Sequence, residues 1–309
     1  MIDGNLRENL HFKWSPHNSE ILRIRDGDRV KLKIPDSSIN QIHGNMKTED
    51  LANIDSYLFD GAVGPIYVEG SKPGDSISVE IIDIKSGSSG WSAIIKDFGL
   101  LKNIFPEKLI MWKKIDDYWI CTDHKFLSGI KIPDEPFLGV IGTSPGSGEY
   151  GMIPPQNFGG NMDNRMARKG SKIVLPVLKE GAMLSFGDPH GHQGDGEVCG
   201  TAIETSAEIE VRIGLLKEKY EMPVVIGQIQ DSGRRVCASG IGNDLYGASR
   251  DAVLSMIHIL EGKNLTPEES YILMSVAGNL SIREIVDEPN FVVNMCLDLS
   301  ILERAGIYF

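Results

Sequence analysis

Between Arg29 and Ile34 the chain alternates, with Val30, Leu32 and Ile34 apolar and Arg29, Lys31 and Lys33 charged. Successive side chains of an extended strand point to opposite faces, so this spacing predicts a strand with one buried and one solvated face. The design recurs. Pro73-Gly74-Asp75 turns into Ile77, Val79 and Ile81, and Glu180-Gly181 precedes a run to Phe186. Ile209, Val211 and Ile213 then alternate with Glu208, Glu210 and Arg212. A repeated turn-then-strand unit predicts a mainly β (α+β) fold with a sandwich or jelly-roll-like body.

The pattern changes near the C-terminus. An amphipathic run from Leu245 to Leu260 follows Asn243-Asp244 and ends at Gly262. Thr266-Pro267-Glu268-Glu269 is a capping box with proline at the first helical position, and it opens a second helix that stops at Gly278. Two helices are therefore expected on one flank of the β body, with Met256, Met274 and Met295 filling the core and His258 a structural histidine. A short helix is also expected within residues 40–55, while the tryptophan-bearing segment from 87 to 127 shows no clear period.

Composition narrows the class. The 309 residues suffice for one unit spanning 1–309, with a possible subdivision into 1–130 and a site-bearing 131–309. At a net charge of −12 a nucleic-acid backbone would be repelled, and the basic cluster Arg165 to Lys172 reads as a solvated surface loop. No window carries the roughly 18 apolar residues of a membrane helix. The N-terminus has no signal-peptide core, and Cys121, Cys199, Cys237 and Cys296 are scattered, so a cytoplasmic protein with free thiols is expected.

The densest chemistry lies in GDPHGHQGDGEVCGTAIE, residues 187–204. Asp188, His190, His192, Gln193, Asp195 and Glu197 fall within eleven residues broken by glycines. If the segment is extended, Asp188, His190 and His192 share a face. Such oxygen and nitrogen donors suit a divalent cation, zinc first and calcium if carboxylates dominate. The glycine- and proline-rich passage 130–165 is the expected second wall of the site, with Asn161 and Asp163 behind the Gly159-Gly160 pair. His43 and Glu69, each next to a strand end, are lesser candidates. Cys199 is a candidate nucleophile or simply a buried hydrophobe.

HFKWS (11–15), GPIYVEGSKPGD (64–75), PFLGVIG (136–142), GGNMD (159–163), GSKIVLPV (170–177) and, most specifically, residues 187–204 resemble the acetamidase/formamidase family over nearly the whole chain. The resemblance implies an amidohydrolase releasing ammonia from short-chain amides, a β-rich fold, a metal-containing site and a homodimer or higher assembly. Val63, Phe158 and His192 depart from the family pattern. On these grounds Asp163, Asp188 and His190 are expected to hold the metal and Glu197 to act as base. Gln193 or Asn161 would steady the amide, and Asp195 would orient His190. Two alternatives stand beside this reading: a cupin-like metal oxygenase or isomerase using His190, His192 and Glu197, and a non-catalytic metal or small-ligand binding module.

Overall fold

The alternating segments pair as their patterns require. In the computed structural model, which describes residues 1–123, 125–228 and 233–309, Arg29–Ile34 lies antiparallel to Ala207–Leu216, which in turn pairs with Ser76–Ser86. Register sets Ile209 beside Leu32 and Ile84, and it sets Glu210 beside Lys31, 3.4 Å away across the wet face. One-residue slippage would send every apolar side chain to water, so the burial pattern itself fixes this register.

These strands belong to a nine-stranded sheet that continues through Lys172–Pro176, Val224–Gly227, Arg235–Gly242 and Phe291–Asp298 to the edge strand Asn279–Glu284. A six-stranded sheet carries Phe137–Gly142, Leu184–His190 and Ala62–Val68 as central neighbours. The main core lies between the two: Leu32, Ile77, Ile173 and Val211 from the first pack with Val63, Ile66, Leu138 and Phe186 from the second. Helices α1 (Leu245–Glu261), α2 (Pro267–Ala277) and α3 (Leu299–Arg304) cover the outer face of the nine-stranded sheet's far half. Met256, Met274 and Met295 are buried there, and Thr266 and Glu269 close the expected capping box. No described helix is long and apolar enough to cross a membrane.

Four expectations change. The tryptophan segment forms an antiparallel sheet of Ser89–Ile94, Lys108–Ile115, Tyr118–Cys121 and Ile132–Pro133. Its alternation was hidden because Trp91 and Trp112 pack into separate small cores. Arg165 to Lys172 is no solvated loop: Met166 and Ala167 enter the core, and Arg165 and Lys169 pair with Asp195 and Asp83 at 2.9 and 2.8 Å. His258 is exposed on α1. Finally, Cys237 and Cys296 sit directly opposite on neighbouring strands and form a disulfide, so Cys121 and Cys199 are the free thiols.

His11, in the HFKWS block, ties this frame together. Its Nε2 lies 2.9 Å from Ser185 Oγ, and its Nδ1–H donates to the Lys13 carbonyl at 3.0 Å. Burial pushes its pKa down to about 4, only partly opposed by the Lys13 contact. An unfolded chain would take up a proton near 6.5, before the folded one does, so the stabilisation is complete above that pH and is lost as pH falls toward 4. The difference of about 2.5 units corresponds to about 3 kcal/mol. Urea unfolding of the parent and of His11→Gln should therefore converge by about 2–3 kcal/mol between pH 7 and pH 4; parallel profiles would contradict the neutral, buried assignment.

Candidate active site

The strand Leu184–His190 delivers Asp188 and His190 to the seam where the six-stranded sheet meets the tryptophan sheet. Glu204 forms that seam, bridging through its backbone to both His190 and Trp91. The loop after Gly159–Asn161 supplies Asn161 and Asp163, and the return from His190 supplies Glu197. Asp163, Asp188 and Glu197 all adopt left-handed backbone conformations, with φ of 46°, 50° and 42°. Each such residue costs on the order of 1–3 kcal/mol, and such strain gathers at functional sites.

Space for the carboxylates comes from Gly139 in the neighbouring strand. A Cβ there would stand 2.2 Å from Asp188 Oδ2 and 2.5 Å from Asp163 Oδ1. No residue with a side chain leaves both carboxylates where they are.

His190 is the hub. Its Nε2 lies 3.0 Å from Asp188, 3.1 Å from Glu204 and 3.8 Å from Glu197, while its Nδ1 faces Asp163 at 3.8 Å. Phe137 meets the ring edge-on, centroids 4.9 Å apart. Glu204 is fixed by Ser37 Oγ at 2.8 Å and the Ala202 amide at 2.7 Å. Asn161 Nδ2 donates to Asp287 at 2.7 Å, and the amides of Val286 and Asp287 donate to Glu284. Asp60 completes the buried acidic group.

Burial dominates the electrostatics. It would lower the pKa of His190, yet the charges of Asp188 and Glu204 prevail and hold it well above the usual imidazole range. Burial lifts Asp188 and Glu197 well above the carboxylate range; Glu204 reinforces the first and Asp163 the second. Asp163 also rises through burial, with His190 opposing. Asp60 and Asp287 rise by burial, aided by Asp188 and Glu284 respectively, and burial pushes Glu284 up to about 8. Burial would raise Glu204 as well, but the charge and hydrogen bond of His190, joined by hydrogen bonds to Asp188 and Ser37, together outweigh it, so Glu204 alone falls.

The donor set fits a cation. Both carboxylate oxygens of Asp163, Nδ1 of His190, Oδ1 of Asn161, Oδ1 of Asp287 and Oε2 of Glu284 are buried without a hydrogen-bond partner. Buried acceptors left unpaired are costly, and a divalent ion would satisfy several at once. Two groupings, Asp163-His190-Glu197 and Asp188-His190-Glu204, each place their donor atoms within 4.8 Å of one another. Four carboxylates within 3.8 Å of one imidazole, with Asp60, Glu284 and Asp287 buried nearby, make an oxygen-rich site, which suits calcium as readily as zinc.

A cavity of about 290 Å³ opens onto this cluster, reaching Asp188, Glu197, Glu204 and Asn161. Its other lining includes Phe59, Trp91, Ile95, Phe98 and Ile153. Ile153 comes from the glycine- and proline-rich passage, as does Asn161.

Several residues of the dense stretch stand elsewhere. The extended segment ends at His190: Gly191 lies against Trp119, whose ring a Cβ would meet at 2.5 Å, and the chain turns there. His192 consequently faces Glu135 at 3.9 Å, so the His-x-His pair of the cupin-like alternative is not assembled. Asp195 does not reach His190; it bridges Arg165 and Arg283 at 2.9 and 2.8 Å. Gln193 donates to the Asp163 carbonyl at 3.0 Å, and so secures the left-handed turn without lining the cavity. Cys199 is exposed, its thiol directed at the Thr201 carbonyl. His43 and Glu69 are exposed and away from the cluster, Glu69 pairing with Arg25. Conversely, Asp60, Glu204, Glu284 and Asp287 join the site without having been singled out, although Glu204 closes the most specific sequence block.

Known proteins are similar to this chain along nearly its whole length. A formamidase of Methylophilus methylotrophus is 26% identical over 367 aligned residues, covering 95% of this chain and 89% of that protein. The crystal structure of an acetamidase from Bacillus halodurans superposes with a TM-score of 0.89 at 28% identity, covering 99% of both chains. A predicted acetamidase/formamidase from Thermoanaerobacter tengcongensis gives the same TM-score at 29% identity, covering 100% of this chain and 98% of that one. The family profile matches residues 3–150 and 148–304, so the chain belongs to the Acetamidase/Formamidase family.

Proposed function

We propose that this protein is an amidase that hydrolyses linear amides, formamide and acetamide among them, to a carboxylate and ammonia at the Asp163-Asp188-His190-Glu197 cluster. The observation that carries the reading is the buried, unpaired Asp163 carboxylate facing His190 behind a cavity lined by Asp188, Glu197 and Asn161, in a chain whose relatives are named formamidase and acetamidase.

Asp163, Asp188 and His190 are the residues that would hold a divalent cation, zinc or calcium, with Glu197 and Glu204 close enough to share the task. When bound, such a cation polarises a carbonyl and lowers the pKa of water toward about 7. The protein's own groups handle orientation and protons. Asn161 directs its Nδ2 at Asp287, which leaves Oδ1 as an acceptor for a substrate amide N–H at the cavity wall. Glu197 is the proton carrier: it takes one proton from water as the C–O bond forms and gives one to the nitrogen as the C–N bond breaks. Its raised affinity for protons suits the second step, since a carboxyl that holds its proton near neutrality can deliver it to an amine. Glu204, anchored by Ser37 and Ala202, holds His190 in place through its Nε2.

Ammonia release from formamide, acetamide and propionamide tests the reading, with oxygen uptake followed in parallel. Stoichiometric ammonia and carboxylate without oxygen uptake is the expected result. No ammonia from any amide would leave a binding module, and oxygen uptake would point to an oxygenase.

A further inference from the structure

The cavity is larger and more apolar than acetamide needs. Its volume is about 290 Å³, whereas a water occupies about 30 Å³ of liquid and acetamide, with four heavy atoms, roughly three times that. Room remains beyond the amide itself. Phe59 and Trp91 meet edge to face with centroids 6.2 Å apart, and Ile95, Phe98 and Ile153 add further apolar surface. The walls are firmly held. Trp91 Nε1–H donates to Asp36 at 3.2 Å, and the Leu100 amide bonds the Val198 carbonyl at 3.0 Å, stitching the 95–100 loop to the loop that carries Glu197. Phe98 lies over Gly200, where a Cβ would meet its ring at 2.5 Å. A built apolar wall beside a polar reaction centre sorts ligands by their apolar part.

From this we infer that the preferred substrates are primary amides with a larger apolar acyl group, a linear chain of four to six carbons or an arylacetyl group, and not formamide or acetamide. The inference rests on the amidase reading and refines it. The amide sits at Asn161 and Glu197, and the acyl group fills the space bounded by Phe59, Trp91, Phe98 and Ile153. Water adds to the carbonyl carbon, the C–N bond breaks, and the products are the corresponding carboxylate and ammonia, with no other reactant consumed.

The test is kcat/KM for ammonia release from formamide, acetamide, butyramide, hexanamide and phenylacetamide by the purified full-length chain. A buried methylene is worth roughly tenfold or more in discrimination, so kcat/KM should rise by at least about tenfold from acetamide to butyramide and stay high for hexanamide or phenylacetamide. Ile153→Phe, which adds volume to the wall, should lower the hexanamide-to-acetamide ratio at least about tenfold; Ile95→Phe provides a second such variant. A parent series that peaks at formamide or acetamide would overturn the inference and leave the amidase reading intact. Ammonia from no member of the series would overturn both.

Discussion

Replacing Glu197 with Gln should lower kcat for ammonia release by about 10²–10⁴-fold, the usual worth of a positioned acid–base group. The substitution keeps the volume and removes the proton transfer. It should not weaken the fold. Burial, reinforced by Asp163, Glu204 and Asp188, holds the Glu197 carboxyl well above its ordinary pKa. A group raised in this way stabilises the folded state only below its unfolded value and increasingly opposes folding as pH rises. At pH 7, in protein stripped of metal, Glu197→Gln should therefore unfold at an equal or higher urea concentration than the parent. Lower activity with undiminished stability is the signature of a group retained for chemistry. A kcat within tenfold of the parent would remove Glu197 from the mechanism.

Gly139→Ala should be nearly as damaging, although residue 139 has no side chain to contribute. The added methyl would fall 2.2 Å from Asp188 Oδ2 and 2.5 Å from Asp163 Oδ1, closer than any real contact, so both carboxylates must move. Displacement by about 1 Å at a reacting centre can cost about 10²-fold, and a similar loss is expected here in kcat/KM. Metal retention should fall with it, because two of the expected ligands are displaced together. The strand itself tolerates alanine, so circular dichroism should be unchanged. Activity within about threefold of the parent, with full metal content, would show that Asp163 and Asp188 do not act as a pair.

The two-faced strands were legible because alternation and register are the same information: Val30, Leu32 and Ile34 can face only one way once their neighbours are charged. The helices announced themselves by their caps. Within the site, Asp188, His190 and Glu197 could be found because they crowd one stretch of sequence. His192 and Asp195 belonged to the same crowd, yet extended periodicity holds only while the strand lasts, and it ends at His190. Asp60, Glu284 and Asp287 could not be found this way. They lie in ordinary-looking segments, FDG and REIVD, more than sixty residues from the motif on either side, and long-range folding alone unites them with it. Glu204 was within reach, since a carboxylate ending the most specific block needs a partner when buried, and His190 is that partner. The disulfide required knowing that Cys237 and Cys296 occupy paired positions on adjacent strands, which their separation in sequence conceals.

The claim on which the rest depends is that this cluster hydrolyses amides with a divalent cation held by Asp163, Asp188 and His190. One measurement addresses it most directly: ammonia release from the best amide by the protein as purified, after chelation, and after adding back zinc, calcium or manganese, with metal content determined on each sample. The account predicts activity lost with the metal, restored by one cation, and neither retained nor restored in His190→Ala. Full turnover by protein shown to contain no metal would contradict it.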